Sequence, residues 1–217
     1  MSLIQWTGVI LIGLAVVVMG VLSAVVGIEI YQSRQVAKLE PVEKQSARSD
    51  VGASRTAVVY FSRSGNTGLA ARHVAGRLNA ETIHLTAPAY ELGPVGLANA
   101  LNDANRLKTD PTALPEIVPA SADLSGFDTV WIGSPVWLYS PAPPIWAFVE
   151  NNRFDGAHVV LFNTFNSNFG DDHIERLRDK VMVRGAMSFE HRSVKRGRMT
   201  QQMAPEEMLQ TIDEEWF

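Results

Sequence analysis

Residues 60–67 read YFSRSGNT, a cluster of small hydroxyls, a glycine and an amide between an apolar run and an alanine-rich helical pattern. Main-chain N–H groups at a turn that opens a helix point outward, and the helix N-terminus carries partial positive charge. The hydroxyls of Ser62, Ser64 and Thr67 add donors, and Gly65 lets a ligand come close to the backbone. This chemistry suits a phosphate. The G-x-x-x-x-G-K-[ST] pattern is absent, so no lysine is placed for a nucleoside triphosphate. G-x-G-x-x-G is absent too, which leaves a phosphate monoester as the better fit. The plainer alternative is a helix cap with spare hydroxyls, because Ser, Asn and Thr favour N-caps.

Two further segments carry candidate chemistry. Residues 133–144 (GSPVWLYSPAPP) set Trp137 and Tyr139 among small residues and prolines, a platform on which a flat ligand stacks, unless Trp137 simply packs under the loop. Residues 163–172 (NTFNSNFGDD) are rich in amides and hydroxyls that suit the edge of a heterocycle. Asp171 or Asp172 is alternatively a cap for the helix that follows. His73, His84, His158, His173 and His191 are scattered without metal-like spacing, so neither a metal site nor a catalytic residue is expected. His173, near Glu175 and Arg176, lies closest to the ligand end. Residues 191–198 (HRSVKRGR) read as a solvated basic loop, or as a surface for lipid headgroups or for the phosphate of NADPH. Arg63 either faces solvent or adds attraction for the phosphate. Asp103 and Arg106 read as a surface pair on a helix.

These residues are positioned by an alternation of strand and helix patterns. Residues 57–61 (AVVYF) form a continuous apolar run suited to a parallel strand buried on both faces. Helical spacing follows from Thr67. Strands are expected at 82–85, 128–133, 157–163 and, weakly, 186–190; helices at 95–107, 144–150, 171–183 and 205–216; and an irregular Pro-rich connection at 108–124. Five successive strand–helix units imply right-handed crossovers and an open sheet with helices on both faces. Ligands of such sheets bind beyond the carboxyl ends of the strands. The three candidate segments all fall at that end.

Ahead of this domain, residues 9–28 (VILIGLAVVVMGVLSAVVGI) carry no charge and span about 30 Å as a helix, the thickness of a bilayer's hydrocarbon core. A cleaved signal peptide would carry a basic start and a shorter apolar stretch. Lys and Arg appear only after the span (Arg34, Lys38, Lys44, Arg48, Arg55), which places the rest of the chain in the cytoplasm. The expected organisation is a transmembrane helix over 1–30, a juxtamembrane linker over 31–55, helical at its start, and one domain over 56–217. The formal charge of -4 argues against nucleic acid as a partner, and the absence of cysteine excludes disulfides and thiolate chemistry.

The pattern [ST]-x-[ST]-G-x-T of the flavodoxin phosphate loop is met by Ser62, Ser64, Gly65 and Thr67, and the chain resembles that family over residues 56–217. It looks closest to members with a PxWW-type loop, in which PDLSxYDTIxxGxPxWW precedes a proline-opened helix. The matching stretch here is ADLSGFDTVWIGSPVWLYSPAPPIWAFVE, with Leu138 in place of the second aromatic and Tyr139 after it. The loop 163–170 departs from the T-H-x-G-S pattern common in those members. The resemblance implies a doubly wound α/β fold with a five-stranded parallel sheet in the order 2-1-3-4-5, and FMN at the switch point between the first and third strands, the known arrangement of this family. It assigns cofactor contacts to Ser62, Arg63, Ser64, Gly65, Asn66 and Thr67, to Pro135, Val136, Trp137, Leu138 and Tyr139, and to Thr164, Phe165, Asn166, Ser167 and Gly170, with Trp137 or Tyr139 beside the ring. The function implied is a membrane-anchored redox protein, driven by NAD(P)H or by a redox partner, reducing a quinone-like acceptor. The alternatives are an electron carrier without its own substrate, a flavin-dependent protoporphyrinogen dehydrogenase, and a flavin-free binding module.

Overall fold

The computed structural model describes residues 3–46, 55–197 and 201–217, with the helical stretches 3–5 and 40–46 described by their backbone. The apolar run at the start of the domain forms β1 (Thr56–Phe61), buried from Ala57 onward. β2 (Glu81–Leu85), β3 (Thr129–Trp137), β5 (His158–Phe165) and β6 (Ser188–Lys195) join it in the order β2-β1-β3-β5-β6, every pair parallel. This is the order the resemblance implied. A short β4 (Ser140–Pro141) is added to it, antiparallel to β3.

Successive strand residues face opposite sides, and the two sides have separate cores. Val59, Phe61, Ile132 and Leu161 pack against α3 (Pro94–Arg106), α4 (Pro143–Asn151) and α5 (Asp171–Val183) through residues such as Ala100, Ile145 and Leu177. Val58, Tyr60, Trp131 and Phe162 pack against α2 (Asn66–Leu78) and α6 (Pro205–Trp216), with Met208, Ile212 and Trp216 supplying the α6 face.

Three segments differ from expectation, each for a physical reason, and one is irregular as expected. The third strand does not stop at Gly133. It runs on to Trp137 because Val136 and Trp137 pair back onto Ser140 and Pro141. The last strand lies further along, at Ser188–Lys195, so most of the expected basic loop is sheet. Arg192 donates to the carbonyls of Glu215 and Trp216, and the buried Arg196 donates to that of Met203; Arg198 is outside the described residues. The Pro-rich connection 108–124 is irregular, as expected, yet it buries Ile117 and Leu124 in the core and bridges to Thr86 through Val118. Finally, α1 (Leu3–Ser46) does not end with the apolar segment. It continues through most of the expected linker and buries Gln32 and Val36 against the domain, while residues 47–54 lie outside the described residues.

Gly133 marks the tightest approach within the sheet, since a Cβ there would lie 2.4 Å from Cζ of the fully buried Phe162. Gly133→Ala is expected to cost about 1–3 kcal/mol through overpacking. Urea unfolding should show a lower midpoint with an unchanged slope.

Candidate cofactor site

At the carboxyl ends of β1, β3 and β5, three segments converge on a cavity of about 180 Å³. Its walls include Ser62, Arg63, Ser64, Asn66 and Thr67 after β1, Pro135, Val136 and Trp137 at the end of β3, and Thr164, Phe165 and Asn166 at the end of β5. Gly65, Leu138, Tyr139, Ser167 and Gly170 are not on these walls, nor is any residue of 108–124. Sequence reasoning missed the remaining wall: Val25, Ile28, Glu29 and Gln32 of α1 with Leu97, Ala100 and Leu101 of α3. The signal was present as a stripe on α1, residues 25, 28, 29, 32, 36 and 39, at helical spacing.

The turn into α2 is built for an anion. Gly65 is its N-cap at φ 96, a left-handed conformation that glycine adopts without a Cβ penalty. No side chain caps the helix; instead the Gly65 N–H donates to Ser62 Oγ at 3.1 Å. The first helical bond runs from the Leu69 N–H to the Gly65 carbonyl at 2.8 Å. The amides of Asn66, Thr67 and Gly68 therefore lack helical acceptors. The cluster of hydroxyls is not a self-capping device. Thr67 Oγ1 lies 2.7 Å from Thr164 Oγ1, which locks this turn to the end of β5 across the sheet.

Trp137 is one of two aromatics on the cavity wall, with Phe165, and is held edge-on by Phe61 at 5.6 Å and by Tyr90 at 5.5 Å. Leu138 (φ 48) and Tyr139 (φ 75) make the turn between β3 and β4, both left-handed, as tight hairpin turns require. For residues with side chains this carries strain of roughly 1–3 kcal/mol each. Tyr139 is 57% exposed on the rim, and its carbonyl accepts from the Gly170 N–H at 2.7 Å, which fastens the start of α5 to the hairpin.

Arg63 does not reach toward the anion cradle. Its side chain is 4% exposed and its guanidinium donates to the carbonyls of Tyr90 (3.1 Å), Glu91 (3.3 Å) and Gly93 (3.1 Å), and to Glu29 Oε1 of α1. Around the same cavity α1 supplies two further contacts. Gln32 accepts from Asn66 Nδ2 at 3.1 Å, and Val36 covers Gly65 so closely that a Cβ there would lie 3.2 Å from its Cγ1. Two buried acceptors on the cavity wall, Glu29 Oε2 and Asn66 Oδ1, have no hydrogen-bond partner. His173 lies elsewhere, lining a separate small cavity with Lys108 and Arg176.

Behind the site, the fully buried Asn163 donates to the Ser134 carbonyl at 3.0 Å and lies 2.9 Å from His191 Nε2. His191 also meets the Phe169 ring edge-on at 5.0 Å. Burial, the largest cause, holds His191 below the usual imidazole range, with Asp171 opposing it. Burial lowers His84 and His173 as well. Below about pH 6.5 the unfolded chain therefore binds more protons than the folded one, so stability is full above that pH and falls as pH drops toward the depressed folded values. His191→Gln, which keeps an amide donor but does not titrate, should flatten the fall of Tm between pH 6.5 and 5, measured by differential scanning calorimetry.

The flavodoxin family profile matches residues 55–212. Among solved structures, a candidate flavoprotein from Bacteroides uniformis ATCC 8492 superposes with a TM-score of 0.58 at 23% identity, covering 74% of this chain and 99% of that one. A flavoprotein from Lactobacillus acidophilus NCFM, solved in complex with FMN, has a TM-score of 0.51 at 21% identity, covering 64% of this chain and 93% of that one. A candidate flavoprotein from Bacteroides eggerthii DSM 20697 also reaches 0.51, at 20% identity, covering 76% and 99%. Comparison with curated protein sequences yields no match. The structural likenesses bear on the fold, and the profile spans most of the sequence: the chain belongs to the flavodoxin family.

Proposed function

We propose that the domain binds FMN and serves as a membrane-anchored redox protein that passes electrons from NAD(P)H, or from a redox partner, to a quinone-like acceptor. The observation that carries the reading is the uncapped first turn of α2 facing the same cavity as Trp137. Asn66, Thr67 and Gly68 amides with the hydroxyls of Ser62 and Ser64 are suited to the phosphate, and the orphaned Asn66 Oδ1 suits a hydroxyl donor of a polyol chain. Because Glu29 balances Arg63, the loop offers neutral donors rather than net charge. Trp137, braced by Phe61 and Tyr90, presents a preset aromatic face. FMN, when bound, supplies the electron- and hydride-accepting ring. The cavity is smaller than the roughly 300–1,000 Å³ usual for small-molecule sites, so a large ligand seated there keeps part of its surface outside, open to electron exchange. The L. acidophilus relative solved with FMN supports the same cofactor.

For the anchor, α1 includes a long apolar stretch, Trp6–Leu39, whose most apolar window is unburied. Trp6 near the start of the uncharged part and Tyr31 just past its closing Glu29 are both exposed, about 37 Å apart along a helix axis. Aromatic residues favour the two membrane–water interfaces, and that separation fits a bilayer of about 40–45 Å including headgroups. Arg34 and Lys38 beyond Tyr31 favour a cytoplasmic domain.

The test is the visible spectrum of the full chain purified in detergent. Flavin bands, or their appearance on adding FMN, are expected, and Ser64→Asp should abolish them by repelling the phosphate. A colourless protein that takes up no FMN would leave only a flavin-free binding role. NAD(P)H oxidation with a soluble quinone separates enzyme from carrier: bound flavin without turnover assigns the carrier.

A further inference from the structure

We infer that the domain makes a second contact with the bilayer, through the loop 91–95 and the exposed side of α3. This surface is seated in the interfacial layer beside the point where α1 leaves the membrane. The inference rests on reading α1 as a membrane anchor.

Three observations set the height of this surface. Glu29 is the first charged residue of the chain, and it closes the apolar stretch of α1. The Arg63 guanidinium bonds Glu29 and, at the same time, the carbonyls of Glu91 and Gly93, so the loop 91–93 is level with the last uncharged turn of α1. Val25 and Ile28 then share a cavity wall with Leu97 and Leu101, which places the start of α3 level with residues the bilayer would cover.

Several side chains at that level are apolar and exposed. Leu92 is 43% exposed, Val95 75% and Leu101 39%, with Pro94 between the first two. Scattered apolar residues on a protein surface need no explanation. Leu92, Pro94 and Val95, however, are clustered in one short segment, and Leu101 shares a cavity wall with Val25 and Ile28 of the apolar part of α1. The matching occupant is the boundary between headgroups and acyl chains, where short apolar side chains insert while flanking polar groups stay hydrated. Glu91 is exposed in the same loop, where its carboxylate can stay at headgroup level. With this seat occupied, the cavity between α1 and α3 opens at the membrane surface, within reach of an acceptor dissolved in the bilayer.

The chain has no cysteine, so single thiols can be placed freely. The test uses the full chain in lipid nanodiscs, labelled with an environment-sensitive fluorophore at Leu14→Cys, Val95→Cys or Val183→Cys and exposed to nitroxide-bearing lipids. Val183 is 81% exposed at the C-terminal end of α5, at the opposite edge of the sheet. Expected are strong quenching at position 14 by deep nitroxides and, at position 95, at least twofold more quenching by shallow nitroxides than at 183, with a blue-shifted emission. Quenching at 14 with position 95 behaving like 183 overturns the seat and leaves the anchor standing. No quenching at 14 removes the anchor and the seat together. Equal quenching at 95 and 183 indicates unoriented adhesion and also overturns it.

Discussion

One buried guanidinium ties together everything around the cavity. Arg63 is nearly sealed from solvent, and although burial lowers its pKa, a guanidinium keeps its charge at any pH a protein meets. A buried charge is tolerated only when its donors are satisfied. Here the acceptors come from two places: the carbonyls of Tyr90, Glu91 and Gly93 between β2 and α3, and the carboxylate of Glu29 on α1. Such a pair adds little net stability, because desolvation offsets the attraction. What it imposes is geometry, since the turn after β1, the approach to α3 and the exit of α1 must all hold one arrangement for the charge to be satisfied.

That arrangement decides how the site treats an anion. With Arg63 turned away and neutralised, recognition of a phosphate falls to backbone amides at the start of α2 and to nearby hydroxyls. Those donors are fixed by the sheet. β1 lies between β2 and β3, and β3 lies beside β5, so the turn after β1 and the ends of β3 and β5 emerge side by side. The Thr67–Thr164 contact closes the gap between the outer two of these. The order of strands thus brings together residues about a hundred positions apart in sequence.

Most of this was legible in the residues. Buried parallel strands are written as apolar runs, and AVVYF and HVVLF became β1 and β5 with little shift. The pattern Ser62-x-Ser64-Gly65-x-Thr67 marked the anion cradle because a turn into a helix needs small residues there. The hairpin after β3 was not legible. Its turn is Leu138–Tyr139, without the Gly or Asn that left-handed turns favour, and the prolines at 135 and 141 read as loop rather than strand. The role of Arg63 was equally hidden, because nothing local distinguishes a buried guanidinium from a solvated one when its acceptors are distant carbonyls.

The least legible part was α1, and it changes what the domain is. Polar and charged residues after Ile28, with Pro41 among them, read as a linker because no single residue there is strongly apolar-periodic. Yet Glu29, Gln32 and Val36 recur every three or four positions and meet Arg63, Asn66 and Gly65 in turn. The helix that carries the apolar run therefore also builds one wall of the cavity. A chain cut near residue 50 would keep the residues of the sheet but lose Val36 from the core on the α2 and α6 side. It would leave Arg63 without its carboxylate, Asn66 without its amide partner and Gly65 uncovered. The site and α1 are in this sense one structure, and the position of the cavity relative to the apolar run of α1 follows from the same contacts that shape it.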